Sequence, residues 1–217
     1  MERWGSREKS SRTPEAFAST PEACATRSLC NPLGWLFVLT VRIWTIGHST
    51  RNIDEFISLL EKNGIKLLVD VRMFPGSKRY SQFGREALSN ALSQHAIRYE
   101  HFPELGGRRK PNADSRNTAW RNASFRGYAD YIETEEFRKG IGRLLDFANE
   151  FGETAIMCAE AVWWRCHRSL ISDYLKARGI EVIHILDANK IERHPFTSAA
   201  RIVHGSLSYA NEEDRLI

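Results

Sequence analysis

The chain becomes patterned at Val41 and loses its pattern after Asp187. Between those points, short apolar runs alternate with stripes of helical period. Residues 42–46 (RIWTI) form a β-prone run that ends at Gly47. Asn52 and Glu55 stand at capping-box spacing, and Ile53, Phe56, Leu59 and Leu60 then fall on one helical stripe that stops near Gly64. Residues 65–71 (IKLLVDV) are nearly continuous in apolar character, as a strand covered on both faces requires. A helix is predicted over residues 84–94, with Leu88 and Leu92, and a third strand over 97–102. Thr134 caps a further helix, with Phe137, Ile141, Leu144, Leu145 and Ala148 at helical spacing, ending at Gly152. The run at 154–158 (TAIMC) is a fourth strand. From Cys166 a helix carries Leu170, Ile171, Tyr174 and Leu175, stops at Gly179, and leads to a fifth strand at 181–186.

This alternation predicts an α/β fold: a three-layer, Rossmann-like, mostly parallel five-stranded sheet flanked by helices with right-handed crossovers. In the common order 3-2-1-4-5 the first strand lies beside the fourth where the winding reverses, and ligands of such sheets bind there, beyond the carboxyl ends. One domain is expected over residues 41–190, followed by a C-terminal tail at 191–217. Residues 1–40 are rich in Ser, Thr, Pro, Ala and Arg without apolar period, so they are expected to be a disordered leader or a mis-called start.

Composition narrows the picture. With 217 residues, 42% hydrophobic and 27% charged, the chain is of ordinary globular type, and its net charge of +4 is too mild to announce a nucleic-acid binder. The charge is uneven: between Gly107 and Arg126 six basic residues face one acid, Asp114, which predicts a locally positive surface. Pro103 to Arg126 is expected to be an irregular loop, long enough to be functional, with Trp120 and Phe125 either stacking on a planar ligand or anchoring the loop. Four cysteines in two distant pairs make no disulfide framework, which favours a reducing, cytoplasmic setting. The apolar run from Gly34 to Val41 is far short of the roughly 18 residues of a spanning helix, so no membrane partner is expected.

Candidate chemistry concentrates at predicted strand ends. Cys158 and Glu160 end the fourth strand; Cys166, His167 and Arg168 open the helix after it. Glu160 and Asp70 are candidate acid and base, and Cys158, activated by His167 or His48, is a candidate nucleophile. Ser49, Arg72, Ser77, Gly106, Gly107, Arg108, Cys166, His167 and Arg168 are candidate ligand and phosphate contacts, with Tyr128, Trp163 and Trp164 stacking on a base. That toolkit suits a nucleotide, a modified nucleoside or an exposed nucleic-acid base, and glycosidic-bond hydrolysis is the reaction class it suggests. A non-catalytic binding module, a thiol enzyme and a metal enzyme are the alternatives. Seven residues separate Cys158 from Cys166, where zinc-binding pairs have roughly two to four. Adjacent Cys166 and His167 are expected to point apart, so neither metal nor cofactor is assigned.

Seven stretches in order, TIGHST (45–50), LVDVRMFPGS (68–77), LGG (105–107), FRGYADY (125–131), MCAE (157–160), CHR (166–168) and GIEVIHI (179–185), make residues 42–187 resemble the domain-of-unknown-function 488 family. The resemblance implies a compact, single-domain bacterial or archaeal α/β protein and assigns no reaction. Val162, Trp163, Trp164 and Arg165 depart from it where a proline-bearing segment is expected, and the leader has no counterpart.

Overall fold

A computed structural model describes residues 41–76 and 79–211. The expected leader and the candidate Ser77 lie outside the described residues. Among the described residues are five α-helices and a six-stranded sheet, in the order β1 (Arg42–Gly47), α1 (Ile53–Lys62), β2 (Leu67–Asp70), α2 (Arg85–Ser93), β3 (Arg98–His101), α3 (Ala123–Ile132), α4 (Glu135–Phe151), β4 (Thr154–Cys158), α5 (Arg168–Ala177), β5 (Glu181–Asp187) and β6 (Lys190–Arg193). A separate hairpin pairs β7 (Arg201–Val203) with β8 (Ser206–Ser208). Among the described residues no helix is long and apolar enough to cross a membrane.

The helices start where their caps predict. Asn52 Oδ1 accepts from Glu55 N at 2.7 Å, and Thr134 Oγ1 accepts from Phe137 N at 3.2 Å, each satisfying a first-turn N–H. Gly152, at φ +85, ends α4 in a backbone region closed to most side chains. α3 takes the last four residues of the expected loop, because Asn122 caps it by accepting from Ser124 N and Phe125 N.

Sheet order is β3-β2-β4-β1-β5-β6, with the first five strands parallel and β6 antiparallel at the edge. β1 lies beside β4, as expected. The expected order is corrected in one respect: β4 also pairs with β2, so it stands between β1 and β2. β6 (KIER) escapes a pattern reading because it is a short, largely exposed edge strand with one apolar residue.

Both faces of the sheet are covered, which is why the central strands are apolar at consecutive positions. Ile43, Leu67, Val69, Ile156 and Val182 pack with residues of α3, α4 and α5. Trp44, Ile46, Leu68, Ala155, Met157 and Ile183 pack with residues of α1 and α2. Register then sets Gly47 opposite Cys158 and Asp70 opposite Met157, so the carboxyl ends of β1, β4 and β2 finish side by side.

Candidate functional site

The turn after β1 is held against the one after β4. His48 N donates to Cys158 O at 3.0 Å and Ser49 N to Ala159 O at 2.9 Å, with Ser49 at φ 50. Gly47 permits this approach, since a Cβ there would lie 1.8 Å from Glu160 O. His48 is buried, stacked on Phe83 at 4.3 Å, and its Nδ1–H donates to Ser49 O at 3.0 Å. Its Nε2 accepts from Arg72 Nη1 at 3.3 Å. Burial first, then the Arg72 charge, lower its pKa from 6.5 to about 4.

That value makes a pH prediction. Between about 4 and 6.5 the unfolded chain binds the His48 proton and the folded chain does not, so stability is complete above pH 6.5 and is lost as pH falls toward 4. Urea unfolding should show wild type losing about 2 kcal/mol more than His48→Asn between neutral pH and pH 5. Parallel curves for the two proteins would remove His48 as the cause.

Asp70 at the end of β2 is fully buried and fully occupied. It accepts from Arg72 Nε (2.8 Å) and Nη2 (2.6 Å), from Arg72 N (3.0 Å) and from Tyr99 OH (2.8 Å). Arg72 also donates to Phe83 O at 2.8 Å. A carboxylate with four donors is an anchor for Arg72 and has little capacity left as an acid or base.

Between β4 and α5 the two cysteines and His167 converge. His167 Nδ1 lies 3.6 Å from Cys166 Sγ and 4.0 Å from Cys158 Sγ. Its Nε2–H donates to Val71 O at 3.1 Å, which turns Nδ1 toward the sulfurs. The expectation that Cys166 and His167 point apart is thus overturned. Cys166 is extended (φ −130, ψ 148) and His167 helical (φ −56, ψ −14), and a break between conformations can bring neighbouring side chains together where a regular helix would not.

Arg168 is buried, and among the described residues no carboxylate pairs with it directly. It donates to Cys166 Sγ (3.5 Å), Thr45 Oγ1 (3.3 Å) and Glu160 O (2.5 Å). A buried guanidinium needs an anion nearby, and a thiolate supplies one. Burial pushes the Cys166 thiol up, but the Cys158 S–H, His167 and Arg168 outweigh this and hold it well below the usual range. Cys158 moves the other way, raised by its hydrogen bond to Cys166 and then by burial.

From Arg168 a buried chain of hydrogen bonds runs to a second carboxylate. Thr45 Oγ1 lies 2.7 Å from His184 Nδ1, His184 Nε2 lies 2.9 Å from His194 Nδ1, and His194 Nε2 lies 3.0 Å from Asp173 Oδ1. Burial, then the His194 and Arg168 charges, push His184 down to about 2, so its ring is neutral at neutral pH. These bonds link Arg168 to Asp173 through Thr45, His184 and His194 in one buried run. Trp163 stacks on His184 at 4.5 Å.

A family model described as domain of unknown function DUF488 matches residues 52–175, more than half of the chain. The chain belongs to the DUF488 family. Neither a curated protein nor a solved structure matches it. The match takes in Asp70, Arg72, both described cysteines, His167, Arg168 and Asp173, while His48, His184 and His194 fall outside it.

Within this DUF488 chain His48, Asp70, Arg72, Cys158, Cys166, His167 and Arg168 lie together, with Gly107 against His167 and Gly106 against Met73. A Cβ on Gly107 would sit 2.9 Å from His167 Nδ1, and one on Gly106 would sit 3.0 Å from Met73. Glu160 is exposed at the rim, as is Arg108, whose guanidinium lies 5.9 Å from the exposed Phe74 ring. Two stacking residues are corrected. Tyr128 is 1% exposed and donates to Leu105 O, because it faces inward from α3; Trp163 is 7% exposed against His184. Trp164 remains half exposed. Trp120 packs on Phe125 at 4.8 Å, so these aromatics anchor the basic loop. Cavities of about 600 and 440 Å³ lie beside α5 and beside α2, and the smaller touches the cluster through Tyr99 and through His101, whose Nε2 lies 2.9 Å from Arg72 O. Thr45, Asp173 and His194 were missed: the first two offer only the signal of a polar residue among apolar ones, and His194 lies past Asp187, where the pattern is lost.

Proposed function

We propose that this protein is a thiol-dependent enzyme in which Cys166 is the nucleophile. One observation carries the reading: the Cys166 sulfur lies 3.6 Å from His167 Nδ1 and 3.5 Å from Arg168 Nε, two residues before the start of α5. Cationic and hydrogen-bonding groups beside a sulfur at a helix start favour the thiolate, which is the reactive form. Cys158 donates to that thiolate, His167 stands by to take or return a proton, and Arg72 and Arg168 are held by Asp70 and the histidine chain. The substrate class is a small electrophile bearing an anionic group, with exposed Arg108 placed to meet the anion and Glu160 at the rim.

A nucleotide or modified nucleoside satisfies that description and remains the ligand class to test first. Hydrolysis with Glu160 and Asp70 as acid and base is the less supported form of the idea, since Asp70 has no free oxygen. Alkylation of the full chain by iodoacetamide, mapped by mass spectrometry across pH, tests the nucleophile. Cys166 should react as a thiolate at least about 1 unit below the ordinary thiol midpoint, and Arg168→Gln should move that midpoint back up. An ordinary thiol titration for Cys166 would refute the reading.

A further inference from the structure

We infer that Cys158 Sγ, Cys166 Sγ and His167 Nδ1 form a three-donor site for one zinc-like divalent cation, with the fourth coordination position left for water or substrate. The three atoms all lie within 4.8 Å of one another. Tetrahedral zinc with bonds of about 2.3 Å to sulfur and about 2.1 Å to nitrogen places those two ligands about 3.6 Å apart. The two sulfur to nitrogen separations here are 3.6 and 4.0 Å, so the donors already stand near tetrahedral edges and need only small rotations to close on an ion.

The surroundings fit as well as the distances. A metal-binding histidine ordinarily donates its other N–H to a carbonyl or carboxylate, and His167 Nε2–H does so to Val71 O. Two thiolates and a neutral imidazole balance a dipositive ion. Metal-bound thiolates still accept hydrogen bonds, so Arg168 keeps its contact with Cys166. Gly107 carries no side chain where a Cβ would press to 2.9 Å on Nδ1, leaving that edge of the ring uncrowded. Two cysteines and a histidine with an open position are the ligand set of a catalytic rather than a structural zinc site.

The seven-residue gap that argues against zinc in the sequence is no obstacle in space. A strand end and a helix start supply the donors, and the sheet register fixes the distance between them. A second consequence, and only this one, rests on the thiolate reading: a bound ion occupies the Cys166 lone pair, so metal masks the nucleophile and its release exposes it.

Titration of the full-length metal-free protein with cobalt(II) and zinc(II) is the test. One equivalent of cobalt should give sulfur-to-cobalt charge-transfer bands and the intense visible absorption of a tetrahedral site, and zinc should displace it. Cys158→Ser and His167→Ala should each weaken binding by about 100-fold, while Cys24→Ser with Cys30→Ser leaves it unchanged. Circular dichroism of each variant separates ligand loss from unfolding, and the wild-type titration stands without them. Absence of tetrahedral cobalt in wild type, or binding that survives loss of Cys158 and His167, overturns the site. If zinc binds but the metal-free Cys166 is an ordinary thiol, the catalytic reading fails and the site stands. Should Cys166 prove reactive while neither ion binds, the site alone fails.

Discussion

Asp173→Ala should cost the fold about 3–5 kcal/mol, the scale on which removing one member of a buried charged network destabilises. Asp173 is fully buried on α5 and accepts from Thr197 N (2.9 Å), Thr197 Oγ1 (2.6 Å), His194 Nε2 (3.0 Å) and Tyr209 OH (3.0 Å). Alanine leaves these donors without their acceptor, and each such donor costs about 1–3 kcal/mol before relaxation. The thermal midpoint should fall by about 10 °C. In urea the midpoint should move with little change in slope, and the exposed Asp146→Ala on α4 should stay within about 0.5 kcal/mol of wild type. The same variant reports on the thiols. Once His194 is no longer held, His184 and Thr45 can turn, Arg168 loses a fixed partner, and Cys166 alkylation should slow. A loss below about 1 kcal/mol would mean that Asp173 is no anchor.

The parts of this molecule that sequence makes legible are those governed by neighbours along the chain. Asn52 with Glu55, Thr134 with Phe137, and the apolar runs of β1, β2 and β4 are local patterns, and each element formed where its pattern lay. Asp70 lies in an apolar run, where a buried carboxylate is costly unless paired, and Arg72 two residues on is its partner. The illegible parts depend on partners remote in sequence. Thr45 meets His184 across 139 positions, and Asp173 meets His194 and Tyr209 across 21 and 36. Periodicity carries no information about such pairs. Tyr128 was misread for a different reason: an aromatic among arginines looks like a ligand platform until the helix beneath it turns that face into the core. For Cys166 and His167, regular-helix geometry was applied one residue outside the helix.

Asp70 and Arg72 should respond to substitution unequally, and the inequality is the stronger test of how the site is built. Removing either partner breaks a buried bidentate pair and should cost about 3–5 kcal/mol at neutral pH. After Arg72→Ala the stranded carboxylate has an escape, because it can take up a proton as the chain folds. The folded state of that variant then binds a proton on Asp70 that wild type does not, so its stability relative to wild type should rise as pH falls from 7 toward 4, with a slope of up to about 1.4 kcal/mol per pH unit. Wild type itself should lose stability over the same range, since the lowered pKa of His48 makes its unfolded state the better proton binder. Asp70→Asn leaves a guanidinium that cannot shed its charge, so that variant should remain destabilised at every pH in the range. Asp70→Asn combined with Arg72→Met removes both charges and should recover much of the loss, leaving the Phe83 carbonyl and His48 Nε2 without their Arg72 donors. Urea midpoints measured from pH 4 to 7 separate the cases: parallel curves for the two single variants would mean that Asp70 is reached by water and that Arg72 is held by Phe83 O and His48 instead.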